Sequence, residues 1–388
     1  MKVKIETVSE LEYKQLEKDN VYGNFQQTVA WAKVKASTGW KSHYFACRDV
    51  DNTYTWLVLE KTYMKVFKVF YSQKGLAIDY EKEDVVREVY SYMKNWIREQ
   101  KGTMLIIDPN ITIEPHVFKQ IGIVSITQMV PNAKDVGINC CYVKELNSNY
   151  EGIYEGFSKR NKGSIKKSKR YVWEVKILER NEIERFYEIL QHTAERNLFS
   201  IRSIEYFRKI YDVFKENVLF MVLTINVEKS IERLKISIDN HTKKLDYIKS
   251  ENKRMEIINK IKQCEKEIDR LSTMECYVDV CSAMYILDRP KELIHVFGGS
   301  IKEYMDFEGQ FYLHDYMMRY AANEGYTTYN FYGCENNGVF LEKIAYMKEG
   351  FCGKYVKTIG DYLLVNSKWK TKWFYRCRSI YLWINKYI

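Results

Sequence analysis

Between Asp84 and Gln100 the apolar residues Val85, Val89, Met93 and Ile97 recur every fourth position, which predicts an amphipathic helix with one buried stripe. Shorter segments around it read differently. His43 to Arg48 and Thr53 to Glu60 alternate apolar and polar residues and are rich in β-branched and aromatic types, as a hairpin pair requires. Lys68 to Leu76 predicts a further strand, and Thr103-Met-Leu-Ile-Ile-Asp-Pro-Asn110 a buried strand ending on Asp108-Pro109. Helices are expected over Ser9 to Asp19 and from Val29, where Thr28 supplies the N-cap and Trp31, Val34 and Lys35 fall on neighbouring faces. From Val143 onward the strand and helix succession repeats. A helix is expected over Ile183 to Arg196, with strands over Leu219 to Ile225, Tyr277 to Leu287 and Ile294 to Phe297. The helix Phe311 to Ala322, the strand Thr327 to Gly333 and a final strand Tyr355 to Gly360 complete the series. Two similar α/β units result.

One stretch departs from this alternation. From Glu228 to Glu275 there is neither Gly nor Pro, and Ile231, Leu234, Ile238, His241, Leu245 and Ile248 keep a 3-4 spacing. The spacing breaks near Ser250 to Lys253 and resumes in a new phase at Ile257, Ile261, Cys264, Ile268 and Leu271. An antiparallel helical hairpin inserted between the strand Leu219 to Ile225 and its continuation Tyr277 to Leu287 accounts for the break.

With 388 residues, 46% of them apolar and 29% charged, the chain has room for two or three domains with substantial cores. Nine scattered cysteines without a C-x-x-C pair argue against a zinc cluster or a disulfide framework and for a reducing cytoplasm; no metal is expected. The N-terminal residues lack an apolar signal core, and no uninterrupted apolar run reaches the roughly 18 residues that a membrane helix needs. A net charge of +10 points to anionic partners.

The cations cluster in two places. Phe157 to Arg170 contains Lys159, Arg160, Lys162, Lys166, Lys167, Lys169 and Arg170, which would surround any helix formed there. Phosphate contact by Lys159, Arg160, Lys166 and Lys167 and a plain solvated helix are both open readings. Lys368 to Ile384 interleaves cations with aromatics, and no acid follows Asp361. That composition suits an interfacial helix on anionic lipid, and it equally suits a helix whose aromatics pack on the protein body.

Three further spots carry candidate chemistry. Arg202 and Tyr206 stand four residues apart, a spacing that aligns a guanidinium and a hydroxyl on one helical face for a phosphate. Asp108 ends a buried strand, where an α/β protein places functional carboxylates, although an Asp before Pro also makes a turn. Lys348 sits before Glu349-Gly-Phe-Cys-Gly353, where two glycines are expected to bend the chain and Phe351 to anchor it, so that the lysine is presented rather than buried.

His295-Val-Phe-Gly-Gly-Ser300, Tyr329-Asn-Phe-Tyr-Gly333 and Met347-Lys-Glu-Gly-Phe-Cys-Gly353 resemble the C-terminal half of the Fem family, aminoacyltransferases that use aminoacyl-tRNA to build peptidoglycan cross-bridges. The family's last motif is usually Phe-Lys-x-x-Phe-Gly-Gly, so Met347 and Cys352 depart from it. Gly23-Asn-Phe-Gln-Gln-Thr-Val-Ala-Trp-Ala-Lys-Val-Lys35 is similar to the family's N-terminal signature.

The resemblance implies an α/β (α+β) fold of two GNAT-like domains. The first is expected over 1–147 and the second over 148–365, with the arm 228–275 inserted in the second and a basic aromatic tail at 366–388. It implies Lys348 and Asp108 as catalytic residues, Lys35, Arg202 and Tyr206 as precursor-binding residues, and no cofactor. The partners implied are aminoacyl-tRNA and lipid II or a UDP-linked muropeptide, met in the cytoplasm at the inner face of an anionic membrane. The family's coiled-coil arm resembles that of seryl-tRNA synthetase, and tRNA contact, dimerisation or mere insertion are all open for it. No Gly-rich pyrophosphate loop opens a helix here, which counts against acyl-CoA as donor. The alternatives are an N-acyltransferase of the same fold with another donor or acceptor, including tRNA-dependent modification of protein N-termini, and a non-catalytic tRNA- or membrane-binding protein of the immunity type.

Overall fold

In the computed structural model the described residues are 3–131, 133, 135–288, 291–333 and 339–384, and their side chains apart from those of 339–343 and 379–384. In chain order the first elements are β1 (Lys4–Thr7), α1 (Glu10–Leu16), α2 (Val29–Ala36), β2 (Lys41–Arg48), β3 (Thr53–Tyr63), β4 (Phe67–Ser72), α3 (Glu83–Glu99) and β5 (Met104–Ile107). Then come α4 (His116–Ile121), β6 (Val124–Ser125), α5 (Ile126–Met129), β7 (Cys140–Glu145), α6 (Tyr150–Glu155), α7 (Lys159–Ser168), β8 (Trp173–Ile177), α8 (Ile183–Asn197), α9 (Ile204–Phe214) and β9 (Val218–Asn226). The remainder is α10 (Val227–Leu245), α11 (Glu251–Leu271), β10 (Tyr277–Asp288), β11 (Glu292–Ser300), α12 (Gly309–Asn323), β12 (Thr328–Gly333), α13 (Val339–Glu349), β13 (Lys354–Lys357), β14 (Tyr362–Val365) and α14 (Lys368–Ile384).

The strands form two seven-stranded sheets, ordered β1-β2-β3-β4-β5-β14-β6 and β13-β7-β12-β11-β10-β9-β8, so the fold is mixed α/β. Each sheet holds one parallel pair with described register. In the first, β4 runs beside β5, with Ser72 opposite Ile107. In the second, β11 runs beside β12, with Ile294 opposite Asn330. Beyond the carboxyl ends of such a pair the ladder stops and the chains diverge, which frees backbone groups for other partners.

The expected stripe of α3 is buried as Val85, Val89, Met93 and Ile97, packed with Phe45, Trp56 and Phe70 in the core of the first sheet. The Thr28 hydroxyl caps α2 by accepting from the Trp31 amide at 3.2 Å. The expected hairpin is the antiparallel pair β2 and β3.

The domain boundaries differ from those expected. The chain divides into Met1–Cys141 with Tyr355–Ile388, and Tyr142–Lys354. The expected second domain, 148–365, therefore gives up its last strand: β14 lies in the first sheet between β5 and β6, with Leu364 opposite Leu105. The expected tail begins a helix that packs Phe374 and Tyr375 into the first unit's core. In the second unit the predicted phase break coincides with the start of α11, and α10 and α11 pack against each other between β9 and β10. Leu234, Ile257, Cys264 and Leu271 of the predicted seam are buried.

Candidate functional site

In the first unit the polar groups gather where β4 and β5 end. The Asp108 amide still donates to Ser72 O at 3.3 Å, continuing the parallel ladder by one residue. Past that point Lys74 adopts a left-handed backbone, φ 50°, and turns its side chain onto Asp108. Its ammonium lies 3.1 Å from Oδ1 and 3.0 Å from Oδ2 and donates as well to Ile138 O. Asp108 is 1% exposed and Lys74 9%, so this is a buried ion pair. A Cβ on Gly137 would stand 2.1 Å from Asp108 Oδ2, so the backbone that covers the carboxylate has to be glycine there.

Desolvation holds the Asp108 carboxyl up at about 6 despite the Lys74 charge. Asp361, buried at the start of β14, is pushed further, to about 8, first by burial and then by the charge of Asp108. Its Oδ2 accepts from the Val136 amide at 2.5 Å, and its Oδ1 has no partner among the described residues. Asp361 thus binds its proton more tightly folded than unfolded. Folding takes up a proton between about pH 4, the ordinary carboxyl range, and pH 8, so stability falls as pH rises through that window. Asp361→Asn is expected to remove this slope and to melt above wild type at pH 8.5. The gain approaches about 1.4 kcal/mol for each unit of displacement, and equal melting curves across pH 5 to 8.5 would exclude it.

Lys35 belongs to the same region. Its ammonium lies 4.9 Å from the Trp31 ring, Trp31 Nε1 donates to Gln73 Oε1 at 2.6 Å, and Gln73 precedes Lys74. Gln27 fixes this corner, accepting from the Leu57 amide at 2.9 Å while donating to Gln73 O. The structure therefore joins Lys35 to Asp108 through Trp31, Gln73 and Lys74.

In the second unit Lys348 is not presented. It lies in the last turn of α13, 5% exposed, and its ammonium donates to Phe331 O at 2.8 Å, Tyr332 O at 3.3 Å and Gly333 O at 2.7 Å. The described register of β11 and β12 ends at Asn330, and Tyr332 takes a left-handed φ of 56°, which lets three successive carbonyls converge on one ammonium. The glycines of the following bend serve close approach. A Cβ on Gly350 would meet Asn161 Oδ1 at 2.0 Å, and one on Gly353 would meet Val143 O at 2.8 Å. The left-handed residue is Cys352, φ 55°, where the resembling motif has glycine. Phe351 anchors the bend as expected, fully buried against Phe157 and Phe331.

Behind Lys348 lies a neutral, buried imidazole. Burial and the Lys348 charge hold His314 down at about 3, and its Nδ1 shares a 2.7 Å hydrogen bond with the Tyr329 hydroxyl.

The basic run does not form one docking face, because several of its cations are engaged. The Arg160 guanidinium stacks 3.2 Å from the Tyr346 ring and donates to Tyr346 O, and Asn161 Nδ2 donates to Met347 O at 2.9 Å. This ties α7 to the turn that carries Lys348. Lys167 pairs with Glu308 at 3.5 Å, Lys169 with Asp315 at 2.9 Å and Arg170 with Glu267 at 3.3 Å. Lys159 and Lys166 are exposed. Arg202 lies before α9 rather than on it, yet its guanidinium still stands 5.7 Å from the Tyr206 ring.

Sequence reasoning did not single out Lys74 and Asp361. The usable signal for Lys74 was its place before Gly75 at the end of a predicted strand. Asp361 gave none, since an acid after Gly360 reads as a turn.

Comparison with known proteins bears on nearly the whole chain. A sequence model of the FemAB family matches residues 8–376. The aminoacyltransferase FemA of Staphylococcus aureus (strain bovine RF122 / ET3-1) is 24% identical over 384 residues, covering 88% of this chain and 90% of that protein. FemA of strain MW2 matches with the same identity and coverage. The crystal structure of FemX superposes with a TM-score of 0.72 at 20% identity, over 93% of this chain and 97% of that one, which shows a shared fold.

Proposed function

Because the chain belongs to the FemAB family, we propose that it transfers an amino acid from aminoacyl-tRNA to the stem-peptide amine of a peptidoglycan precursor, lipid II or a growing interpeptide bridge. That it is an aminoacyltransferase rests on the same match and on the FemA relatives. The observation that carries the finer reading is Lys348, a buried ammonium in the family-like motif, fixed at the end of a parallel strand pair.

The donor ester is already activated, so no covalent enzyme intermediate is required. The acceptor amine attacks the ester carbonyl, a tetrahedral oxyanion forms, the C–O bond to the terminal ribose breaks, and the amine's proton ends on the departing hydroxyl or on a base. The protein supplies orientation, proton handling and charge stabilisation. Lys348 stabilises the oxyanion as a fixed cation, exchanging one of its three carbonyls for it. Asp108, gated by Lys74, handles the proton. Lys35 in the first unit, and Arg202 with Tyr206 in the second, are the precursor-binding residues. Lys159 and Lys166 meet tRNA phosphates, whereas Arg160 and Lys167 act mainly by holding α7 in place. The helix pair α10 and α11, read as a coiled-coil arm, adds tRNA contact.

Incubation of the purified protein with lipid II and a set of charged tRNAs, followed by mass spectrometry of the acceptor, is expected to show a gain of one or more amino-acid residues. No gain with any charged tRNA, on lipid II or on the UDP-linked muropeptide, would overturn the reading.

A further inference from the structure

Among the described side chains of α14, residues 368–378, the exposed face consists of cations and indole rings. Lys368, Trp369, Lys372, Trp373 and Arg376 are exposed at the spacing of one helical stripe, and Trp369 and Trp373 are 61% and 52% exposed. The opposite face is fixed to the body: Thr371 is fully buried, and Phe374 packs 5.4 Å from the Tyr63 ring and 5.8 Å from the Phe67 ring. Those two rings flank the tip of the hairpin between β3 and β4, where Met64 and Val66 are 60% and 55% exposed around an exposed Lys65. No Asp or Glu occurs from Tyr362 to Ile388. The helix and the adjoining hairpin tip thus present indole rings, aliphatic side chains and cations together.

We propose that this combined face docks on the surface of an anionic lipid bilayer. Indole rings settle at the boundary between headgroups and acyl chains, Met and Val enter it, and the cations meet the anionic headgroups without a nearby acid on α14 to oppose them. The aliphatic pair at the hairpin tip is what favours lipid over a nucleic acid, whose phosphates and bases recruit cations and aromatic planes but gain little from Met or Val. The proposal deepens the reading of a lipid-linked acceptor and rests on it for its purpose. The docking itself is measurable with no substrate present.

Flotation of the full chain with vesicles of phosphatidylcholine containing a third phosphatidylglycerol is expected to carry the protein to the top, and pure phosphatidylcholine vesicles to bind it at least about tenfold more weakly. Trp369→Ala with Trp373→Ala and, separately, Met64→Ser with Val66→Ser should each lower binding about tenfold. An unchanged melting temperature shows that each variant is folded, and unchanged transfer to the water-soluble UDP-linked muropeptide separates this face from the catalytic reading. Binding that is equal for wild type and both folded variants overturns the proposal. So does a stripe variant that loses affinity for tRNA while keeping its affinity for the vesicles.

Discussion

Lys348→Met is expected to cost both turnover and stability, and the two losses report different things. The ammonium satisfies three carbonyls of Phe331, Tyr332 and Gly333 inside the protein. Removing one partner from a buried charged network typically costs about 3–5 kcal/mol, and part of that should appear as a lower melting temperature. Losing a fixed cation opposite a developing oxyanion costs a further factor of about 10²–10³ in kcat. Lys348→Arg separates the two effects. It keeps the charge, but a planar guanidinium cannot converge on three carbonyls as an ammonium does, so its melting temperature should fall while more of its turnover survives. Wild-type turnover in a folded Lys348→Met protein would remove the residue from the chemistry, and an unchanged melting temperature would mean that the carbonyls find other partners.

The reasons some of this was legible in the sequence, and some not, are local against non-local. Thr28 and the four-residue stripe of α3 declare their helices within a few residues, because capping and amphipathicity are short-range. The phase break expected at Ser250 to Lys253 is equally local, and α11 begins there, at Glu251. β14 is four residues long and pairs with strands more than two hundred positions earlier, so nothing beside it announces the pairing. The same distance hid Asp361, whose raised protonation comes first from its burial and then from the charge of Asp108. The motif around Lys348 was readable, but its burial was not. That burial depends on a left-handed Tyr332, and non-glycine residues seldom signal such a backbone in advance. The basic run was readable as charge, while its partners Glu308, Asp315 and Glu267 arrive from segments about 100 or more residues away along the chain.

Asp108→Asn should change the pH dependence of transfer as well as its rate. With the carboxyl held at about 6, log kcat/KM of the wild type is expected to steepen by one unit of slope below that pH, on top of the gradual rise from the acceptor amine's own titration. The Asn variant should lose this break and about 10²–10⁴ in rate. It also leaves the Lys74 ammonium buried without its carboxylate, at a cost of about 3–5 kcal/mol, so a slow variant could simply be a loosened one. The double variant Asp108→Asn with Lys74→Met resolves this. It removes both charges, should recover most of the stability, and should stay slow if the carboxylate handles the proton. Recovery of the rate along with the stability would instead make the pair a structural tie. Asp361→Asn provides the control, because Asp361 already carries its proton near pH 6 and its replacement should leave the break in place. A break that persists in Asp108→Asn and vanishes in Asp361→Asn would transfer the proton-handling role from the end of β5 to the start of β14.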